Sequence, residues 1–77
     1  MVATHRVRDA ILDLALRRGS GASFCPSEVA RALTTDWRTF MPEVRAMAAA
    51  MPEIMATQRG VEVDPVTAQG PIRLRLR

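Results

Sequence analysis

Several residue types are scarce in this sequence. It contains one cysteine (Cys25) and one histidine (His5), and its eleven other basic residues are all arginines. A single thiol excludes an intramolecular disulfide and fits a reducing cytoplasm. One cysteine and one histidine also fall short of the four-ligand set of a structural zinc site. We therefore expect a cytoplasmic protein of bacterial type that holds no metal and no other cofactor.

Long apolar runs are missing as well. No stretch approaches the roughly 20 apolar residues that a membrane span needs, and the N-terminus is polar, without a signal-peptide core. We expect no membrane contact. The 77 residues predict a single winged-helix domain over residues 1–77. A chain this short buries only about 60% of its unfolded surface, so we expect a monomer or a weak homodimer.

Residues suited to catalysis are also few. His5 lies near the terminus, and the serines at positions 20, 23 and 27 fall in a loop and at a helix start, where serine is common. Nucleophilic catalysis needs a base with an orienting partner and a nucleophile close by. We therefore expect no enzymatic activity and no catalytic residue. Cys25 is interpreted as a small buried residue, with a reactive thiol as the alternative.

The stretch from Cys25 to Met51 predicts a helix-turn-helix. A first helix over Pro26–Leu33 begins with a proline, which suits a first helical position because its missing N–H is not needed there. Residues 34–36 connect it to a second helix over Trp37–Met51. Asp36 is expected to cap that second helix by accepting a free N–H of its first turn.

The second helix of this motif has two unlike halves. Pro42 removes one backbone hydrogen bond, which predicts a kink or a separate turn over residues 37–41. Trp37 is interpreted as part of the core rather than as a stacking platform. The apolar half consists of Trp37, Phe40, Met41, Val44, Met47, Ala48 and Met51, and the opposite half of Arg38, Thr39, Pro42, Ala46 and Ala49.

The flanking segments complete the predicted fold. A helix over Thr4–Arg18 stops at Gly19, and residues 23–24 predict a brief strand. Two β segments, 54–58 and 61–63, surround an Arg59-Gly60 turn signal. Residues 72–77 alternate strictly, so Ile72, Leu74 and Leu76 would face the helices. This order predicts an α+β winged helix-turn-helix, with three helices and a C-terminal β-hairpin wing.

The chain also resembles a known family. The resemblance is carried by Cys25 to Leu33, Asp36-Trp37-Arg38, Met41 to Arg45, Thr57 to Gly60, Val63-Asp64-Pro65 and Gly70 to Leu76. On these residues the chain is similar to a small bacterial family of uncharacterised domains, a domain of unknown function, described as winged-helix-like. The resemblance implies that fold from Val7 onward. It implies no catalytic residue, since the family carries no established activity.

Two functions fit this pattern. The net charge of +3 permits nucleic-acid binding without proving it. In a weak DNA-binding module the contacts to double-stranded DNA would come from the second motif helix and the wing, through Arg38, Thr39, Arg45, Gln58 and Arg59. The alternative is a protein-interaction module without nucleic-acid binding. Its partner would use the small outward residues Ala46 and Ala49 or pair with an edge strand over Ile72–Leu76.

Overall fold

The computed structural model describes residues 2–77 and shows three helices followed by three strands in that range. Helix α1 spans Thr4–Arg18, α2 spans Pro26–Leu33 and α3 spans Trp37–Ala49. The strands are β1 (Ile54–Gln58), β2 (Val61–Val63) and β3 (Arg73–Leu76). The α+β class is therefore confirmed, and the predicted bounds of α1 and α2 are confirmed as well.

Local chemistry explains where the first two helices end and begin. Gly19 takes a positive φ of 83°, which glycine adopts without strain, and its N–H donates to the carbonyl of Ala15 at 3.0 Å. Helix α2 opens with Pro26 at its first position. The carboxylate of Glu28 reaches back to accept the backbone N–H of Cys25 at 3.1 Å, which satisfies a free donor at the helix start.

The connection between α2 and α3 differs from the prediction. Asp36 precedes α3, but its side chain accepts no hydrogen bond from the first turn of that helix. Its ψ of 55° lies outside the extended region from which a capping side chain usually reaches those donors. The hydroxyl of Thr34 instead accepts the backbone N–H of Asp36 at 3.2 Å. The predicted Asp36 cap is therefore wrong.

Helix α3 continues through Pro42, so the alternative of a separate turn over residues 37–41 is wrong. The helix ends at Ala49, two residues before the predicted end at Met51. Its last turn tightens, because the N–H of Ala50 donates to the carbonyls of both Ala46 and Met47, at 3.3 and 3.0 Å.

The three strands form an antiparallel sheet in the order β2-β1-β3. Strands β1 and β2 make a hairpin whose turn residues, Arg59 and Gly60, have φ values of 55° and 81°. Two positive φ values in a two-residue loop define a type I′ turn, which matches the twist of a hairpin. Residues 64–72, here called the β2–β3 loop, connect β2 to β3. Strand β3 pairs with the edge of β1 opposite to β2. The three predicted β segments are therefore present, and β1 lies at the centre of the sheet, between β2 and β3.

The predicted strand over residues 23–24 consists of one bridged residue, Phe24. Its N–H donates to the carbonyl of Leu74 at 2.9 Å, and the N–H of Leu74 donates to its carbonyl at 2.8 Å. Leu74 is also paired with Ala56 of β1. As predicted, the C-terminal strand lies at an edge of the sheet, but the bridge to Phe24 occupies that edge at Leu74, at the centre of the strand.

The core lies between the helices and one face of the sheet. Ile11, Phe24, Val44 and Leu74 have no exposed surface, and Ile72 is also buried. A second set of apolar side chains is only half-buried around them: Leu14, Leu33, Trp37, Phe40 and Leu76.

Truncation of Val44 should destabilise this core. We expect Val44→Ala to lower the free energy of unfolding by about 1–3 kcal/mol, through lost burial and the cavity left behind. The matched control is Val66→Ala, the same change at a side chain that is 57% exposed, which should cost less than about 0.5 kcal/mol. Urea denaturation measures both. Equal effects of the two substitutions would contradict the position of Val44 in the core.

Candidate nucleic-acid interface

The outward face of α3 has polar groups at one end only. All five residues predicted for this face are exposed, which confirms the helical register. Arg38 and Thr39 lie in the first turn, whereas the rest of the face presents Pro42, Ala46 and Ala49. Reading bases in a groove requires side chains that offer specific donors and acceptors. The middle of this helix therefore lacks the groups for direct base readout.

Two arginines stack on Trp37 where α2 meets α3. The guanidinium carbon of Arg31, in the last turn of α2, lies 4.2 Å from the centre of the indole ring. That of Arg38 lies 4.4 Å from it. Trp37 is half-buried and packs against the core as well as under these arginines, so the prediction of a core residue is only partly right. Sequence reasoning missed Arg31, because only the fold brings it to Trp37.

Arg45 is engaged within the protein. It is half-buried, and its guanidinium donates to the carbonyls of Pro65, Ala68 and Gly70, at 3.5, 2.8 and 2.7 Å. These three bonds hold the β2–β3 loop against the flank of α3. Because the donors of Arg45 are occupied, we leave it out of the interface proposed below.

Gln58 holds the same loop from the other side. Its Nε2 donates to the carbonyls of Gln69 and Pro71, at 2.6 and 3.1 Å. The structure therefore brings two of the predicted contact residues, Arg45 and Gln58, together on one loop. Their shared role there is structural, and neither side chain is free in the way that the prediction assumed.

Arg59 occupies the exposed tip of the β1–β2 hairpin. A positive φ of 55° is uncommon for a residue other than glycine, and the tight turn requires it here. Within residues 2–77 its side chain makes no hydrogen bond or ion pair. Among the predicted contact residues, the side chains of Arg38, Thr39 and Arg59 make no hydrogen bond or ion pair within this range. Their role in nucleic-acid binding stays a prediction.

Ion pairs leave much of the positive charge uncompensated. Four arginines within residues 2–77 pair with carboxylates: Arg8 with Glu53, Arg17 with Asp13, Arg18 with Glu28, and Arg77 with Glu62. Asp13 and Arg17 lie four residues apart on the surface of α1, a spacing that favours such a pair. Arg31, Arg38 and Arg59 belong to no such pair in the described range, so their charge faces outward.

Glu28 joins three parts of the fold electrostatically. Partial burial raises the pKa of its carboxyl, but the N–H of Cys25, the hydrogen-bonded Arg18 and the charge of Arg73 together hold that pKa below its ordinary value of 4.5. Arg73 is itself held by Ser23, through bonds of 3.0 and 2.8 Å to the hydroxyl and carbonyl. The end of α1, the start of α2 and β3 therefore meet at this carboxylate.

Cys25 lies at the start of α2 and is half-buried rather than fully buried. Its Sγ accepts a hydrogen bond from the hydroxyl of Ser27 at 3.0 Å. No group of three or more potential metal-binding side chains occurs within residues 2–77, and no helix in that range is long and apolar enough to cross a membrane.

Comparison with protein families identifies the family to which the chain belongs. Residues 4–77 match the profile of a family described as a protein of unknown function (DUF3253), and the chain therefore belongs to that family. The predicted membership of a family of unknown function is confirmed. No curated protein matches the chain.

Loss of the Arg45 contacts should loosen the β2–β3 loop. We expect Arg45→Met to lower the free energy of unfolding by roughly 1–3 kcal/mol, because it leaves three carbonyl groups without their charged donor. Hydrogen exchange should also accelerate at the amide of Ala68, which donates to Asp64 across the loop. Arg17→Met is the control, since Arg17 is exposed and paired only at the surface. An unchanged exchange rate at the Ala68 amide in the Arg45 variant would contradict the proposal that Arg45 holds the β2–β3 loop.

Glu28 should make stability depend on pH in the acid range. Because its pKa is lowered on folding, its carboxylate stabilises the fold above pH 4.5, and this stabilisation is lost as pH falls below that value. We expect Glu28→Gln to destabilise the protein at pH 7 by on the order of 0.5–1 kcal/mol, since the pair is partly exposed. Thermal denaturation from pH 7 to pH 3 should show this difference shrinking. A difference that grows towards pH 3 would contradict the proposed role.

Proposed function

We propose that this domain is a winged helix that binds double-stranded DNA weakly, through contacts to the phosphate backbone. The observation that carries the proposal is the free arginine Arg38, which lies beside Thr39 in the exposed first turn of α3. Arg59 adds a second free cation at the tip of the hairpin. Arginine side chains and hydroxyl groups are common donors to DNA phosphates.

The order of the elements supports a winged helix. Three helices are followed by the sheet. Phe24 lies between α1 and α2 and pairs with β3, whose other neighbour is β1. In a helix-turn-helix the second motif helix, here α3, is the element that approaches the DNA. In this proposal the hairpin β1–β2 would serve as the wing. Arg45 holds the β2–β3 loop to α3.

Binding of this kind would be weak and little dependent on sequence. Phosphate contacts need cations only, and they carry no direct sequence information. Beyond its first turn the outward face of α3 offers Pro42, Ala46 and Ala49, and the exposed carboxylate of Glu43 would repel phosphate. Most of the affinity would therefore come from the release of counterions from DNA, which makes binding sensitive to salt.

A protein-interaction module is the second candidate. The observation that favours it is the same uncharged strip of Pro42, Ala46 and Ala49, together with Val66, which is 57% exposed and borders Met41 and Pro42. Small residues let a partner approach closely, and the bonds of Arg45 to the loop remove one cation from this side of α3. We propose no enzymatic activity under either candidate.

Salt dependence tests the DNA-binding proposal. A labelled random-sequence duplex should bind the domain at low ionic strength, and log K should fall linearly with log salt. In the double variant with Arg38→Gln and Arg59→Gln, the slope should fall by roughly 1.8, because each lost phosphate contact removes about 0.9.

The matched control is the double variant with Arg8→Gln and Arg17→Gln. It loses the same net charge, but these arginines are paired with Glu53 and Asp13. Its slope should stay close to that of the unmodified protein. If the unmodified protein shows no salt-sensitive binding to any duplex, the interaction module replaces the DNA-binding proposal. An equal loss in both double variants would mean that only total charge matters and that the contact residues are misplaced.

A further inference from the structure

We infer that Arg31, Trp37 and Arg38 form a preorganised phosphate-binding site at the junction of α2 and α3, here called the corner site. Its ligand would be a backbone phosphate of double-stranded DNA, so in this respect the inference rests on the proposed function. It adds two residues, Arg31 and Trp37, that the proposed function does not require. The inference rests on the stacking distances of 4.2 and 4.4 Å that gather both cations on one ring.

Stacking leaves the hydrogen-bond donors of these arginines unused. A cation–π contact attracts the charge of a guanidinium to the ring and does not use its five N–H groups as donors to an oxygen. The guanidinium groups of Arg31 and Arg38 make no hydrogen bond within residues 2–77. Arg45, Arg73 and Arg77 differ, because their donors are spent on carbonyl groups, a hydroxyl or a carboxylate. The corner site therefore combines two positioned cations with N–H donors that have no hydrogen-bond partner within residues 2–77.

Trp37 restricts the two arginines before any ligand arrives. A free arginine side chain samples many rotamers, and ordering it on binding costs conformational entropy. The indole is half-buried against the core, so its ring provides a fixed surface for both guanidinium groups. Arginine is also suited to the ligand, because its planar fork matches the oxygens of a phosphate group.

The start of α3 adds further donors at this place. Asp36 does not cap the helix with its side chain, and the first intrahelical bond in this turn is donated by Phe40. The backbone N–H groups of residues 37–39 therefore have no partner within residues 2–77. Free N–H groups and the helix dipole favour an anion at a helix N-terminus.

Nearby carboxylates reduce the positive potential without cancelling it. Asp36 and Glu43 are both exposed and lie in or next to α3. Neither forms an ion pair with an arginine in the described residues. These two carboxylates would weaken phosphate binding at the corner site, but neither occupies Arg31 or Arg38.

Trp37 is the only tryptophan in the chain, so its fluorescence reports on the corner site directly. The full chain is titrated with a random-sequence duplex, and separately with inorganic phosphate, at low ionic strength. We expect a saturable change in Trp37 emission with the duplex. Arg31→Gln should weaken duplex binding roughly fivefold and lower the salt slope by about 0.9. The control Arg17→Gln should behave like the unmodified protein.

Two further variants separate the geometry of the site from its charge, with binding followed by the anisotropy of a labelled duplex. Trp37→Leu keeps both arginines but removes the ring that holds them, so affinity should fall at unchanged net charge. Arg31→Lys keeps the charge but loses the planar fork, so the salt slope should be retained while affinity falls. Circular dichroism confirms that each variant is folded.

The outcomes distinguish the corner site from the proposed function. If Arg31→Gln and Trp37→Leu bind the duplex as tightly as Arg17→Gln does, the corner site is overturned, while salt-sensitive binding by the unmodified protein leaves the proposed function standing. If no duplex binds at all, the proposed function fails and the phosphate titration decides. A phosphate-induced change in Trp37 emission that Arg31→Gln abolishes would then support the site with free phosphate as its ligand, and no change would overturn it.

Discussion

The two hydrogen bonds between Phe24 and Leu74 join the helical half of the protein to the sheet. They measure 2.9 and 2.8 Å, and both side chains are fully buried. Through them the segment between α1 and α2 runs beside β3, which brings Ser23 to Arg73 and places Arg73 near Glu28. Since β1 pairs with the other side of β3, the position of the hairpin relative to α3 also depends on this bridge.

The arginines of this small protein divide by what their donors contact. Some close the structure: Arg45 holds the β2–β3 loop to α3, and Arg77 binds both oxygens of Glu62, which lowers the pKa of that carboxyl. Others keep their donors free, above all Arg31 and Arg38 on Trp37. A count of positive charge therefore says little about binding here. The bonding of each guanidinium decides which cations face a partner.

Local signals in the sequence predicted the elements well. Gly19, Pro26 and the Arg59-Gly60 turn act through backbone preferences within a few residues, so they marked helix and strand ends correctly. The free or bonded state of Arg45 could not be predicted in the same way. It depends on carbonyl groups more than twenty residues further along the chain, which meet α3 only after the β2–β3 loop has folded back.

In the candidate site, too, local features could be predicted from the sequence, whereas contacts between elements could not. Arg38 and Thr39 were identified from the periodicity of one helix, because exposure follows directly from that periodicity. Arg31 belongs to a different helix, and it reaches Trp37 only because α2 packs against α3. The Asp36 prediction was wrong for a local reason: Thr34 accepts the N–H of Asp36, and the ψ of 55° at Asp36 differs from that of a capping residue.

Nuclear magnetic resonance of the arginine Nε–H groups during titration with duplex DNA tests the central claim most directly. The account predicts that the signals of Arg31, Arg38 and Arg59 shift with increasing duplex and return when salt is added. The signals of Arg45, Arg73 and Arg77 should stay in place, because bonds within the protein hold these side chains. Shifts at the second group without shifts at Arg31 and Arg38 would contradict the account.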